Sequence, residues 1–185
     1  MRLLQPPGDM GMSVEIEDKD LGWLRIKKEL KSYKNSYTAI GYYGHGGDPS
    51  EDLAARAGVN EFGAKICVTK KMRGFFKYKW GINLKTNVIR IPARPFMRKT
   101  YDNNKRKINK QIEMEYNRIL EGKQTAKKAL TRLGMWYKGL TQITIRKGGF
   151  EPNKPLTIQN KRGSTKPLIN TGQLYNEIDH REFIK

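Results

Sequence analysis

Between residues 95 and 146 apolar side chains recur at helical spacing, with a break at Gly122. The first stretch, roughly 95–121, places Tyr101, Ile108, Ile112, Tyr116 and Ile119 on one face. The second, roughly 125–146, does the same with Ala126, Leu130, Leu133, Tyr137, Leu140 and Ile143. Gly122 supplies a C-terminal stop, Thr125 a cap for the second helix, and Gly148 with Gly149 its end. Two long helices joined by residues 121–124 alone must be neighbours, antiparallel or nearly so.

The remaining segments are shorter. Met12, Val14 and Ile16 alternate with Ser13, Glu15 and Glu17, which predicts a half-buried strand. Asp20 is placed to cap a helix with Trp23, Ile26, Leu30 and Tyr33 on one face. Residues 36–43, 65–69 and 88–91 read as strands, and 174–184 can hold a last one. Ser50 opens a short helix through Ala54 to Ala57. Residues 70–86 are basic and aromatic with turn residues Gly74 and Gly81, which predicts a protruding hairpin or loop. Residues 148–173 form a long Pro- and Lys-rich loop, a natural arm toward a neighbouring subunit, and 1–12 an N-terminal arm. The expected architecture is one α+β domain over 1–185. It has a small, mainly antiparallel sheet with the two long helices packed on one face, plus extended loops or arms.

Charge is distributed unevenly. The chain of 185 residues has 37 Lys and Arg against 18 Asp and Glu, a net charge of +19. Residues 1–64 hold 8 basic and 10 acidic residues, whereas 65–110 hold 15 basic residues and one acid, Asp102. Such a block points to a nucleic-acid or an acidic protein partner. Within it, Lys70, Lys71, Arg73, Phe75, Phe76 and Tyr78 combine cations with aromatics and are the candidate partner-binding residues.

Enzyme chemistry finds little support. The loop Gly44, His45, Gly46, Gly47 resembles an oxyanion loop, but no G-x-S-x-G elbow accompanies it. There is no P-loop, and no G-x-G-x-x-G follows a strand. One cysteine and two histidines cannot build a Cys/His zinc site. Asp48, Glu51 and Asp52 are close together but are accounted for by a helix start. Cys67, inside an alternating strand, reads as a small core residue and suits a reducing cytoplasm. No apolar run reaches the ~20 residues of a membrane span. The first residues lack a signal-peptide core, so the protein is expected to stay where it is made. No catalytic residue, metal or cofactor is expected.

Three stretches carry a resemblance. They are Val59, Asn60, Glu61, Phe62, Gly63; then Ile91, Pro92, Ala93, Arg94, Pro95, Phe96, Met97, Arg98; then Lys166, Pro167, Leu168, Ile169, Asn170, Thr171, Gly172, Gln173, Leu174. In this order the chain resembles tailed-bacteriophage neck or tail-completion proteins, a family also labelled virion-morphogenesis or minor tail and including the Mu G-like proteins. The resemblance covers about residues 50–180, and the Ile-Pro-Ala-Arg-Pro-Phe run is its specific part. It departs from the family at Asn170, where Asp is common, and in the unusually basic 70–79 segment.

The resemblance implies a structural virion protein at the head–tail junction, assembled in the host bacterial cytoplasm. It would form a homo-oligomeric ring, hexameric or alternatively dodecameric. Its neighbours would be head-closure or connector proteins and a tail terminator or tail tube protein, with DNA passing non-specifically and no membrane. The rival reading, from composition, is a basic nucleic-acid-binding protein.

The motif residues also make physical sense by themselves. Pro92 and Pro95 hold Ile91 and Arg94 extended, and Pro95 suits the first helical turn. Phe96 can pin that helix to the sheet. Arg94 offers a fixed fork to a carboxylate, with Glu61 the nearest candidate, or to loop carbonyls.

Overall fold

The computed structural model describes residues 22–43, 50–161 and 164–185. The strand predicted at 12–16, the capping role of Asp20, the arm at 1–12 and the His45 loop, with Asp48, lie outside the described residues. In chain order the elements are α1 (Trp23–Asn35), β1 (Tyr37–Gly41), α2 (Ser50–Phe62), β2 (Ala64–Cys67), α3 (Lys70–Trp80) and β3 (Val88–Ile91). Then come α4 (Phe96–Leu120), α5 (Ala126–Lys147), α6 (Pro155–Gln159), α7 (Gln173–Asn176) and β4 (Asp179–Phe183). The α+β class holds, with long helices packed together and antiparallel strand pairs.

The long helices form where the periodicity placed them. Thr125 caps α5 by accepting the Lys128 amide hydrogen at 3.3 Å. Lys99, near the start of α4, donates to the carbonyls of Gly148 and Gly149 just past α5, at 3.3 and 2.9 Å. The two helices therefore run antiparallel. A cation at that end also suits the negative pole of α5.

The phase of α4 is rotated from the expected one. Its buried line is Phe96, Thr100, Ile108, Glu115 and Ile119, while Ile112 and Tyr116 are partly exposed. Glu115 can face inward because Gln111, Arg118 and Gln124 donate to its oxygens at 2.9, 3.0 and 2.7 Å. A buried carboxylate is tolerated when its acceptor sites are filled in this way. On α5 the buried residues are Ala126, Ala129, Leu130, Gly134, Thr141 and Ile145; Leu133 is half-buried and Ile143 exposed.

The strands pair as two separate antiparallel ribbons. β1 pairs with β4 from Tyr37 opposite Phe183 to Gly41 opposite Asp179, and the Tyr37 and Phe183 rings stack at 4.8 Å. This ribbon is the one α5 covers. β2 pairs with β3 from Ala64 opposite Ile91 to Cys67 opposite Val88. Cys67 is exposed, contrary to its predicted core position, because a two-stranded ribbon without a covering layer has no interior for it. The cap position of α1 is Gly22, which has no side chain to offer, and Trp23, expected to face inward, is exposed.

Gly134 decides how closely α5 sits on its ribbon. A Cβ there would lie 2.4 Å from Cδ2 of His180 and 2.7 Å from Oγ1 of Thr38. In an exposed helix Gly→Ala stabilises by about 1 kcal/mol. Here Gly134→Ala is expected to destabilise by about 1–3 kcal/mol through overpacking. Chemical denaturation reads the sign.

Candidate functional site

The three sequence stretches meet at one corner, at the start of α4. α2 ends at Phe62, and Gly63 turns the chain with φ +74°. A Cβ at Gly63 would lie 2.9 Å from the Ile91 carbonyl oxygen and 3.0 Å from the Ala93 nitrogen, so only glycine lets the two stretches close on each other. The Arg94 amide then donates to the Asn60 carbonyl at 2.6 Å.

Glu61 does not pair with Arg94. Its carboxylate accepts the backbone N–H groups of Met97 and Arg98 at 2.9 and 3.1 Å, and the Arg98 guanidinium at 3.1 Å. α4 has no acid in its own first turn, and its cap position is Pro95, which has no side-chain acceptor to offer. Glu61 supplies the missing acceptor from α2 and places negative charge at the positive helix pole. Pro95 thus stands one residue before the helix rather than in its first turn.

Arg94 is 8% exposed and takes the carbonyl alternative. It donates to the Glu151 and Pro152 carbonyls at 2.9 and 3.4 Å and to Oδ1 of Asn153 at 3.2 Å. Burial pulls its guanidinium below the ordinary value, with the Glu151 carboxylate opposing. Phe96 is fully buried, but among helices rather than on a sheet. It clusters with Leu53 and Ala57 of α2, Ile145 of α5 and Leu174 of α7. Tyr42 packs beside it and donates to the Leu174 carbonyl at 2.7 Å. Burial, and then the Glu61 charge, push that phenol well above its ordinary value, so it remains a donor.

The third stretch closes the corner. Pro167 and Leu168 form a turn, with Leu168 at φ +63° and packed against the Phe96 cluster. Thr171 and Gly172 lead into α7 and line a cleft of about 320 Å³ with Arg56, Asn60, Arg94 and Lys161. The 148–173 segment is therefore no free arm. Arg94 holds its start, Asn153 donates to the Thr165 carbonyl at 3.1 Å, and Lys161 donates to the carbonyls of Lys166 and Ile169 at 2.7 and 2.8 Å. The helix α6 lies within it.

The basic-aromatic segment is also different from the expectation. Residues 70–80 form a helix, not a hairpin or loop. Thr69 caps it by accepting from the Met72 amide at 3.2 Å, and Gly81 ends it with φ +65°. Gly74, taken as a turn residue, lies inside. No other described helix or strand packs extensively on α3. Its Phe75, Phe76 and Trp80 rings pack edge-to-face on one another. Arg73 is engaged internally: it donates to the carbonyls of Leu84 and Thr86 and, at 2.7 Å, to Oδ1 of Asn87, holding the return segment to the helix. Lys70, Lys71 and Tyr78 remain exposed, Tyr78 by 93%.

Sequence reasoning missed Arg56, Asn153 and Lys161 in the cleft. Arg56 sits one helical turn before Asn60 and was within reach of a face argument. Asn153 and Lys161 lie in aperiodic segments that give no such signal. Phe62 is exposed under the Arg98 guanidinium, 5.2 Å from its ring centre.

Two variants test this corner. Glu61→Gln is expected to weaken the α4 cap and the Arg98 pair, lowering stability by about 1–3 kcal/mol. Arg94→Ala, leaving three neutral acceptors without their donor, is expected to cost a similar amount, about 1–3 kcal/mol. It should also raise proteolysis within 151–172 before global unfolding, whereas Glu61→Gln should leave that segment protected. Limited proteolysis with a melting curve checks both.

Compared with protein-family models, with curated proteins and with solved structures, the chain gives no match.

Proposed function

We propose that this chain is a structural protein of a tailed-bacteriophage virion, placed at the head–tail junction. In this reading it assembles as a ring, hexameric or alternatively dodecameric. The ring joins the connector side to the tail and lets DNA pass without gripping it. The chain carries out no catalysis and needs no cofactor.

The observation that carries this reading is the projection built from β2, α3 and β3. It has its own small aromatic cluster, its own internal brace in Arg73, and a helix on which nothing else in the described chain packs extensively. A unit braced in that way, ending in exposed cations and aromatic rings, is suited to a neighbouring protein. The three stretches that resemble the neck family support it further, since they build one corner rather than three scattered sites. A DNA-conducting channel works against strong phosphate binding along its length, because each neutralised contact adds affinity. The charge of α3 is therefore assigned to acidic protein surfaces, where complementarity speeds docking and sets register.

One observation favours the nucleic-acid reading. Tyr78 stands exposed between Lys77 and Lys79, an arrangement able to stack on an unpaired base.

The combined variant Lys70→Glu, Lys71→Glu and Tyr78→Ala separates the two, with Arg73 left intact because it braces the arm. It is expected to change stability by no more than about 0.5 kcal/mol, as exposed sites do. It should abolish ring assembly and the joining of tails to heads. Normal joining with faulty DNA retention would overturn the protein-partner reading. So would wild-type binding to single-stranded DNA that falls about 10³–10⁵-fold between roughly 50 and 200 mM salt.

A further inference from the structure

The cleft at the motif corner holds three cations from three separate parts of the chain: Arg56 of α2, Arg94 before α4 and Lys161 after α6. Among the described residues its lining contains no Asp or Glu. Among the described residues, the hydrogen bonds of these three cations run to neutral oxygens. Arg56 donates to the Asp52 carbonyl at 3.1 Å, Arg94 to two carbonyls and an amide oxygen, and Lys161 to two carbonyls. Glu61, the acid closest in sequence to Asn60 of the lining, is engaged by Arg98 and the start of α4. Glu151, which acts on Arg94, lines a different cleft with Arg90 and Lys154.

Carbonyl and amide dipoles hold these cations, and among the described residues no carboxylate hydrogen-bonds to them. The positive field is felt within the cluster: burial, and then the Arg94 charge, hold the Lys161 amine below its ordinary value. Asn60, Asn153 and Thr171 add polar groups, while Leu53, Leu168 and Leu174 make apolar walls. The volume of about 320 Å³ suits one side chain with its neighbour.

We propose that this cleft is a binding site for a carboxylate on a protein partner, an acidic side chain or chain end flanked by an aliphatic residue. Nucleic acid fits less well. Its backbone presents phosphates in a row and is tracked by an open groove, whereas this site is compact and apolar-walled. The site rests on the assembly role proposed above and names the chemistry by which a neighbour would be held. Arg94 both braces the 151–174 segment and forms part of the charged lining.

The test uses the full chain and a fluorescein-labelled pentapeptide, Gly-Leu-Glu-Leu-Gly, against the same peptide with Gln, read by anisotropy. The Glu peptide is expected to bind at least about tenfold more tightly than the Gln peptide. The double variant Arg56→Gln, Lys161→Gln should weaken it about tenfold, with a cooperative melting curve retained. Lys77→Gln with Lys79→Gln removes the same charge from α3 and should change binding by less than about twofold.

Equal binding of the two peptides overturns the proposal. Equal weakening by the two double variants also overturns it, because attraction by the net charge alone would then suffice. If loss of Lys161 unfolds the segment, Arg56→Gln alone must weaken the Glu peptide, or the proposal fails. A short DNA oligonucleotide displacing the peptide at lower concentration than free glutamate-rich peptide would reassign the site to phosphate. Peptide binding in the cleft with normal tail joining by Arg56→Gln, Lys161→Gln would leave the site standing and remove the assembly role. Failed joining without peptide binding would do the reverse.

Discussion

The carboxylate of Glu61 at the start of α4 is the contact on which the arrangement of the corner depends. A 25-residue helix begins there without an acid or a side-chain cap of its own. The acceptor comes from α2, across 36 residues of sequence. By holding the Met97 and Arg98 amides it fixes where α4 begins. It thereby fixes the position of Phe96, on which α2, α5 and α7 converge. Gly63 and the Asn60 carbonyl keep the two stretches close enough for that bond. Arg94, displaced from the carboxylate, is left to organise the 151–174 segment.

α5 has its own Thr125 cap but, like α4, lacks an acid in its first turn and borrows a carboxylate from another helix. Its first turn holds Lys127 and Lys128 and no acid, an arrangement that opposes the helix dipole. The Ala126 amide is bonded by the carboxylate of Glu29, from α1, at 2.7 Å. Glu115 makes a third joint of this kind, buried beneath Arg118 with Arg132 3.5 Å away. In a chain of net charge +19 with 37% hydrophobic residues, carboxylates are scarce, and these three hold positions where helices meet. Glu61 and Glu115, which are buried, are each matched by several donors, as burial of a charge requires. The apolar core supplies the bulk of the driving force, while these pairs select which helix ends meet.

Two segments outside the helical body differ in kind. The 151–174 segment is long and mostly irregular but is tied back by Arg94, Asn153 and Lys161. Among the described residues, the contacts that brace the projection carrying α3 lie mainly within it. A surface that has to meet a neighbour is better placed on the second than on the first, since its exposed cations and Tyr78 are not committed to the body. The cleft among the motif residues differs from both in shape. It is a recess rather than a protrusion, and among the described residues its lining holds cations and no carboxylate.

Local rules were enough to place the two long helices, the Thr125 cap, the stops at Gly122 and Gly148 and the strand at 88–91. Periodicity, capping and proline restriction act within a few residues and are present in any chain that carries them. They were also present at Thr69 and Gly81, but Gly74 between them made the α3 segment look like a turn. Burial of Glu115 in place of Ile112 could not be read, because the donors that satisfy it must first be brought to it by the turn between α4 and α5. The same holds for Arg94 and Glu61. Sequence determined that a cation and a carboxylate stand at this corner. Only the tertiary structure decided that Glu61 caps a helix and that Arg94 binds carbonyls 57 and 58 residues away, because hydrogen-bond partners are selected by which groups remain unsatisfied once the chain has closed.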